Sequence, residues 1–341
     1  MRVGLIGLGR MGEGMSRRML RSDIEVIGYR RDYEKAVAAR DSGYITDAAR
    51  DLNELVQKVR VDGEPAVFLM VVPAENVSDT IADLVQAGVT KGDVIVDHGN
   101  SNFRDSRKRA QNMEYLGIDY VDCGTSGGVY GLERGYCLMI GGETHAVAKA
   151  APVFRALAPG IGAAPRTDSH ADVRSVEHGW LHCGGPGAGH FTKMVHNGVE
   201  YGLMQAYAEG FNLLSQANAG ADYVSEGDAE VAPMDNPEDY CYDIDVGEVA
   251  ELWRRGSVVG SWLLDLTAEK MQGDNSLSEF EAGVSDSGEG RWTAKAAVDL
   301  GVPAPVITTA LFARFESRQL GAYANRVLNA MRAAFGGHAT R

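Results

Sequence analysis

The chain of 341 residues has four cysteines, and none of them, Cys123, Cys137, Cys183 or Cys241, stands at a paired spacing. That excludes a disulfide framework as the basis of the fold and suits a reducing compartment. No apolar run approaches the roughly 18 residues that span a bilayer, and no charged-then-apolar leader precedes the first strand pattern, so a soluble cytoplasmic protein is expected. Positive charge is scarce: 33 Lys and Arg against 47 Asp and Glu leave a formal net charge of −14. A nucleic-acid partner is therefore not expected, because phosphate backbones are held by clustered Lys and Arg. The shortage is most acute between Asp222 and Glu251, where 11 Asp or Glu occur with no Lys or Arg. This acidic segment is expected to be an exposed loop inserted between helices. The pattern H-E-x-x-H is absent, and His178 and His182, with Cys183 adjacent, have no carboxylate between them, so no metal is expected. There is no internal repeat and no low-complexity tract.

What is present is an ordinary globular composition, 45% hydrophobic and 23% charged, in a chain longer than one hydrophobic core usually serves. Two domains are expected, divided near residue 176. "MRVGLIGLGRMGEGMSRRML" passes from an apolar strand through a G-x-G-x-x-G turn into a helix. Gly7 permits the tight turn, Gly9 admits a pyrophosphate against the backbone, and Gly12 lets helix and strand pack closely. The turn residues Gly7, Leu8, Gly9, Arg10, Met11 and Gly12, with Val72 after a later strand, are expected to line a dinucleotide site. Apolar runs that alternate with helical stretches predict a Rossmann-like doubly wound parallel sheet.

The end of the second strand bears on which dinucleotide binds. An acidic residue there would accept from the ribose 2′-hydroxyl of NAD. Here Tyr29 occupies that place, followed by Arg30 and Arg31, guanidinium groups suited to a 2′-phosphate. NADP is expected, with NAD as the alternative if Asp32 swings back to the ribose. "DHGNSN" and "CGTSGG" also follow apolar strands. They place His98, Gly99 and Asn100, and then Ser126, Gly127 and Gly128, where open parallel sheets bind ligands.

Beyond Glu177 helical patterns dominate, predicted over Gly189–Gln216, Glu248–Lys270, Trp292–Leu300, Val306–Ser317 and Tyr323–Phe335, so the second domain is expected to be all-helical. On the first of these, Lys193, His196, Asn197 and Glu200 fall at i, i+3, i+4 and i+7, with Tyr201 one step on, forming a polar strip on one helix face. Apolar flanks at Met194, Val195, Val199, Leu203 and Met204 suggest that the strip is partly enclosed, and enclosed polar groups need partners or a ligand. Lys193 and Glu200 lie two turns apart, about 10 Å by the helical rise, which suits a base and an acid addressing different atoms of one small substrate. Beside a nicotinamide this is the equipment of a hydroxy-acid dehydrogenase.

"GAGHFTKMVHNGVEYGLMQAYAE" closely resembles the signature helix of 6-phosphogluconate dehydrogenases, and "GLGRMG", "DHGNS", "SGG" and "GRWTA" match the same family in order. The length resembles the short form, which lacks a second helical repeat. The resemblance implies oxidative decarboxylation of 6-phospho-D-gluconate to D-ribulose 5-phosphate, with Lys193 as base toward the 3-hydroxyl and Glu200 as acid toward C1 of the enediol left after CO₂ departs. It implies substrate contacts from Asn100, Ser126, Gly127, Gly128, His196, Asn197 and Tyr201, with Asn100 also beside the cofactor. Arg291, where long forms usually carry lysine, and Arg314 would hold the phosphate. The tail "RAAFGGH" resembles the family's "RDYFGAH", which implies that Arg332 and His338 enter a neighbouring subunit's site in a homodimer or homotetramer. Other β-hydroxyacid dehydrogenases, acting on 3-hydroxyisobutyrate or tartronate semialdehyde without decarboxylation, and a non-catalytic NADP-binding redox sensor are the alternatives.

Overall fold

The computed structural model describes residues 1–61, 64–224 and 231–336. The chain divides into two compact units, Met1–His196 and Asn197–Arg341.

The first unit alternates strands and helices: β1 (Arg2–Ile6), α1 (Arg10–Leu20), β2 (Glu25–Tyr29), α2 (Tyr33–Asp41), β3 (Asp47–Ala49), α3 (Leu52–Val59), β4 (Val67–Met70), α4 (Val77–Gln86), β5 (Val94–Asp97) and α5 (Phe103–Glu114). It continues through β6 (Asp119–Ser126), α6 (Gly131–Arg134), β7 (Cys137–Gly141), α7 (Thr144–Leu157) and β8 (Trp180–Gly184). The eight strands form one sheet in the order β3-β2-β1-β4-β5-β6-β7-β8. All pairings are parallel except β6 with β7. The order reverses between β1 and β4, which opens a crevice at the carboxyl ends of those strands.

Side chains along each strand alternate between two cores. Val3, Leu5, Val67, Leu69, Val94 and Val96 point into one, while Ile6, Phe68, Met70 and Ile95 point into the other. Because helices cover both faces, the strands read as continuous apolar runs. Each fully buried large aliphatic side chain contributes about 1.5–3 kcal/mol, which makes this sheet a rigid platform for the loops at its carboxyl edge.

Helix α8 (Ala188–Ser215) starts in the first unit and runs into the second. The second unit continues with α9 (Val246–Arg254), α10 (Trp262–Met271), α11 (Glu289–Leu300), α12 (Pro305–Ser317) and α13 (Ala322–Gly336), and its described residues contain no strand. Phe211, Val246, Ala250, Leu264, Ala268 and Met271 form one of its cores.

Two expectations are corrected. The boundary expected at 176 precedes β8, a strand that pairs parallel with β7 and belongs to the first unit. Its sequence, WLHCG, is short and only half-buried, so it lacks the apolar run that betrays a central strand. The single helix expected over Glu248–Lys270 is two helices, α9 and α10. Gly256 between them adopts φ +117, a conformation a helix cannot continue through. In the acidic segment, residues 225–230 lie outside the described residues, and Asp245 caps α9 by accepting from the Glu248 amide at 3.0 Å. Part of that acidity therefore stabilises a helix start.

Candidate active site

The glycine turn after β1 is built as its sequence requires. Gly7 has φ +100, and a Cβ there would stand 2.2 Å from the Val71 carbonyl oxygen; one on Gly12 would stand 1.9 Å from the Gly7 carbonyl oxygen. A Cβ on Gly9 would meet nothing within 4 Å, so nothing in the protein demands a glycine there. Gly9 is also the residue before α1, and no side chain caps that helix start. Open space in front of uncapped N–H groups at the positive end of a helix dipole fits a dinucleotide pyrophosphate.

At the end of β2, Arg30 Nη1 donates to the Leu8 carbonyl at 3.2 Å, so the arginine leans onto the glycine turn. Arg31 is exposed. Asp32 caps α2, accepting from the Lys35 amide at 3.4 Å and pairing with Lys35 Nζ at 3.2 Å. The lysine's hydrogen bond holds this carboxyl below its ordinary pKa.

After β5 the chain turns sharply. Asn100 adopts φ +50, a left-handed conformation that costs an asparagine about 1–2 kcal/mol. Its Oδ1 is buried without a hydrogen-bond partner among the described residues. The turn is held by Asp97, a fully buried carboxylate whose role the sequence does not betray. Asp97 accepts from the Gly99 amide at 2.8 Å, Ser101 Oγ at 2.8 Å, Tyr120 OH at 2.7 Å and Arg109 Nη1 at 3.4 Å. Burial raises the Tyr120 phenol well above its ordinary pKa, so it stays a donor.

His98, also buried, lies 2.9 Å through Nδ1 from Thr125 Oγ1, and that hydroxyl donates to the Cys123 carbonyl at 3.2 Å. With the threonine proton so used, His98 Nδ1 carries the hydrogen. Burial depresses the imidazole from 6.5 to about 4, with nearby Asp97 opposing the shift and His190 adding to it. His98 thus ties the carboxyl ends of β5 and β6 together as a neutral ring.

Helix α8 is seated on the sheet by Asp122 and three glycines. Asp122 has no exposed surface and accepts from the Gly187 amide at 2.6 Å and the His190 amide at 2.8 Å, capping the helix start with a negative charge. A Cβ on Gly189 would stand 2.4 Å from the Met139 carbonyl oxygen, and one on Gly141 would stand 2.6 Å from the Gly189 nitrogen. One turn on, a Cβ on Gly124 would collide with Lys193 Cβ at 2.2 Å, so the lysine stem lies directly over that glycine. Lys193 is buried, and its Nζ lies 3.3 Å from His196 Nδ1. His196 Nε2 in turn lies 3.4 Å from Ser126 Oγ. Gly127 and Gly128 follow with φ +129 and +51, and a Cβ on Gly128 would meet nothing.

Further along α8, in the second unit, Asn197 and Glu200 are half-buried and Tyr201 is buried. The polar strip is thus the enclosed face. Of the flanks expected to enclose it, Met194 is buried and Val195 half-buried, whereas Val199, Leu203 and Met204 are exposed. Tyr201 OH receives the Ser287 amide at 3.3 Å, and the Arg314 guanidinium lies 3.7 Å over its ring. Arg291 forks onto Asp286 at 2.7 and 3.0 Å. Arg332 is exposed on α13, and His338 lies outside the described residues. His182 Nε2 meets the Gly142 carbonyl at 2.8 Å, and no group of three His, Cys, Asp or Glu gathers as metal ligands among the described residues. No helix among them is long and apolar enough to cross a membrane.

The doubly wound sheet with its uncapped glycine turn, joined by one long helix to a helical unit, defines an NAD(P)-dependent oxidoreductase. Residues 2–164 match the NAD binding domain of 6-phosphogluconate dehydrogenase, and residues 189–226 match that enzyme's C-terminal domain. The NAD(+)-dependent decarboxylating 6-phosphogluconate dehydrogenase of Haloferax volcanii is 37% identical over 339 residues, covering 99% of this chain and 98% of the relative. A NAD(+)-dependent decarboxylating homologue from Bacillus subtilis is 30% identical and covers 92% of this chain but only 61% of its own length aligns. The Plasmodium falciparum 6-phosphogluconate dehydrogenase structure superposes with a TM-score of 0.72 at 24% identity, over 96% of this chain and 65% of that one. The chain belongs to the 6-phosphogluconate dehydrogenase family.

Two outcomes follow from this geometry. Gly9→Ala adds a methyl group that touches nothing in the free protein, so the melting temperature should stay within about 1 °C while dinucleotide affinity, measured by titration calorimetry, falls at least about tenfold. Equal losses of stability and affinity would place the ligand elsewhere. For His98, the unfolded ring takes a proton near pH 6.5 but the folded ring only near pH 4. The unfolded state therefore binds the extra proton in that window, and stability should fall by about 3 kcal/mol as pH drops through it. Denaturant titrations of His98→Asn should show this pH dependence flattened; an unchanged slope would contradict the neutral buried ring.

Proposed function

We propose that the enzyme oxidatively decarboxylates 6-phospho-D-gluconate to D-ribulose 5-phosphate, with NADP as the preferred cofactor. The observation that carries the reading is the line Lys193–His196–Ser126, in which a buried lysine is laid over Gly124 at the carboxyl end of β6 and oriented by a histidine. The glycine turn and Val72, which lies beside Gly7, would hold the dinucleotide. When bound, the nicotinamide supplies the hydride acceptor.

The side chains divide the remaining work. Lys193 removes the proton from the substrate 3-hydroxyl, and Ser126 with His196 holds that hydroxyl in line. Once C3 is oxidised, loss of the C1 carboxylate as CO₂ leaves an enediol whose C3 oxygen regains the proton from Lys193, and Glu200, two turns along the same helix, delivers a proton to the former C2, which is C1 of the product. Asn100, fixed by Asp97 in a strained turn with its Oδ1 buried and without a hydrogen-bond partner among the described residues, is poised to meet substrate and cofactor together. Gly127, Gly128 and Asn197 complete the contacts to the hydroxyls. Tyr201, Arg291 and Arg314 receive the phosphate, for which guanidinium forks are apt.

The cofactor preference rests on Arg30, which leans on the glycine turn, while Asp32 is engaged by α2 and Lys35. The NAD(+)-dependent name of the Haloferax relative favours the alternative, with Asp32 released to the ribose. Arg332 and His338 would complete the site of a neighbouring subunit, making the protein a homo-oligomer; that part rests on the resemblance of the tail. A redox sensor would need neither Lys193 nor Glu200.

Lys193→Met should reduce turnover of 6-phosphogluconate at least about a thousandfold with dinucleotide affinity unchanged. Turnover near wild type would remove Lys193 from the chemistry.

A further inference from the structure

Two guanidinium groups share one buried carboxylate in the second unit, and a third is anchored on the residue beside it. Arg291 stands at the start of α11, and Arg314 and Arg318 stand one turn apart at the end of α12. Asp286 accepts from Arg291 through both oxygens, at 2.7 and 3.0 Å, and from Arg318 Nη2 at 3.0 Å. Its side chain is 2% exposed, against 49% for Arg291 and 31% for Arg318. The carboxylate therefore sits behind the arginines and leaves part of each accessible. Both guanidinium groups also lie against the Phe315 ring, at 4.8 and 5.6 Å from its centroid. Arg314 donates to the carbonyl of Ser285, the neighbour of Asp286, at 2.7 Å, and among the described residues it pairs with no carboxylate.

Arg291, Arg314 and Arg318 stand against Asp286 and the buried Glu289, which accepts from Ser287, and so leave one positive charge in excess, in a chain whose overall balance is −14. Like charges held together repel, and a cluster with this surplus matches a ligand bearing the complementary charge. A phosphate monoester carries about −1.5 to −2 at neutral pH. We infer that Arg318 is a third phosphate-binding arginine and that Asp286 is the positioning residue that holds Arg291 and Arg318 ready for it. The inference rests on the phosphosugar reading above and extends it to two residues that the sequence did not single out. Asp286 fixes the two forks before the ligand arrives, which lowers the ordering cost of binding.

The test compares wild type, Arg318→Ala, Arg318→Lys and Asp286→Asn in two measurements: steady-state kinetics with 6-phosphogluconate, and the melting temperature as inorganic phosphate is added. Arg318→Ala should raise KM about tenfold with kcat within about twofold, and should blunt the stabilisation by phosphate. Arg318→Lys should recover part of both. Asp286→Asn, which keeps the shape but drops the charge, should also raise KM at retained kcat. A purely structural Arg318 would lower the starting melting temperature while leaving KM and the phosphate response as in wild type, which would overturn the inference; a tighter KM in Asp286→Asn would overturn the positioning role. If wild type does not turn over 6-phosphogluconate yet phosphate stabilises it through Arg318, the substrate reading fails and the phosphate cluster stands. Absence of any phosphate response in wild type overturns the cluster itself.

Discussion

The structure depends most on the way one carboxylate seats one helix. Asp122, with no exposed surface, accepts the amides of Gly187 and His190 and so binds the start of α8 to the strands β6 and β7. Removing it would leave buried N–H groups unpaired at about 1–3 kcal/mol each. The glycines at 141 and 189 let backbone meet backbone where any side chain would collide. Lys193 then falls over Gly124 because the helix has no other register that keeps both the cap and the close approach. Glu200 and Tyr201 belong to the same 28-residue helix, within the second unit.

A second constraint works beside the first. Asp97 gathers Ser101, Tyr120, Arg109 and the Gly99 amide, and it holds Asn100 in a backbone conformation that asparagine alone would not favour. Neutral His98 fastens this turn to β6 through Thr125. Asp97 and Asp122 are register partners on adjacent parallel strands, so loop and lysine are positioned by the same sheet rather than by each other. Rigidity of this kind suits a site whose groups must meet a small substrate within a few tenths of an ångström.

The parts legible in the sequence are those whose chemistry is local. The glycine turn between strand and helix announces itself because three glycines at fixed spacing have few other uses, and the strip from Lys193 to Tyr201 does so because it follows a helical period. Asp122 and Asp97 do not show as organisers in the sequence, since one is a lone acid within β6 and the other a lone acid at the end of β5, and their partners come from 65 residues away for Gly187 and 23 for Tyr120. β8 escaped because five half-buried residues carry no alternation. Nothing in the sequence marks Arg318, and only its shared carboxylate with Arg291 sets it apart. Among the apolar flanks of the strip only Met194 and Val195 turn inward while Val199, Leu203 and Met204 are exposed, because apolar residues on a helix need not face inward.

The central claim is that the lysine seated over Gly124 serves an oxidation coupled to decarboxylation. The most direct measurement is nicotinamide reduction with 6-phosphogluconate, run separately with NADP and NAD, while released CO₂ is counted in the same vessel. One CO₂ is expected for each nicotinamide reduced, with the faster rate on NADP. Reduction without CO₂, or none with either cofactor, would contradict it.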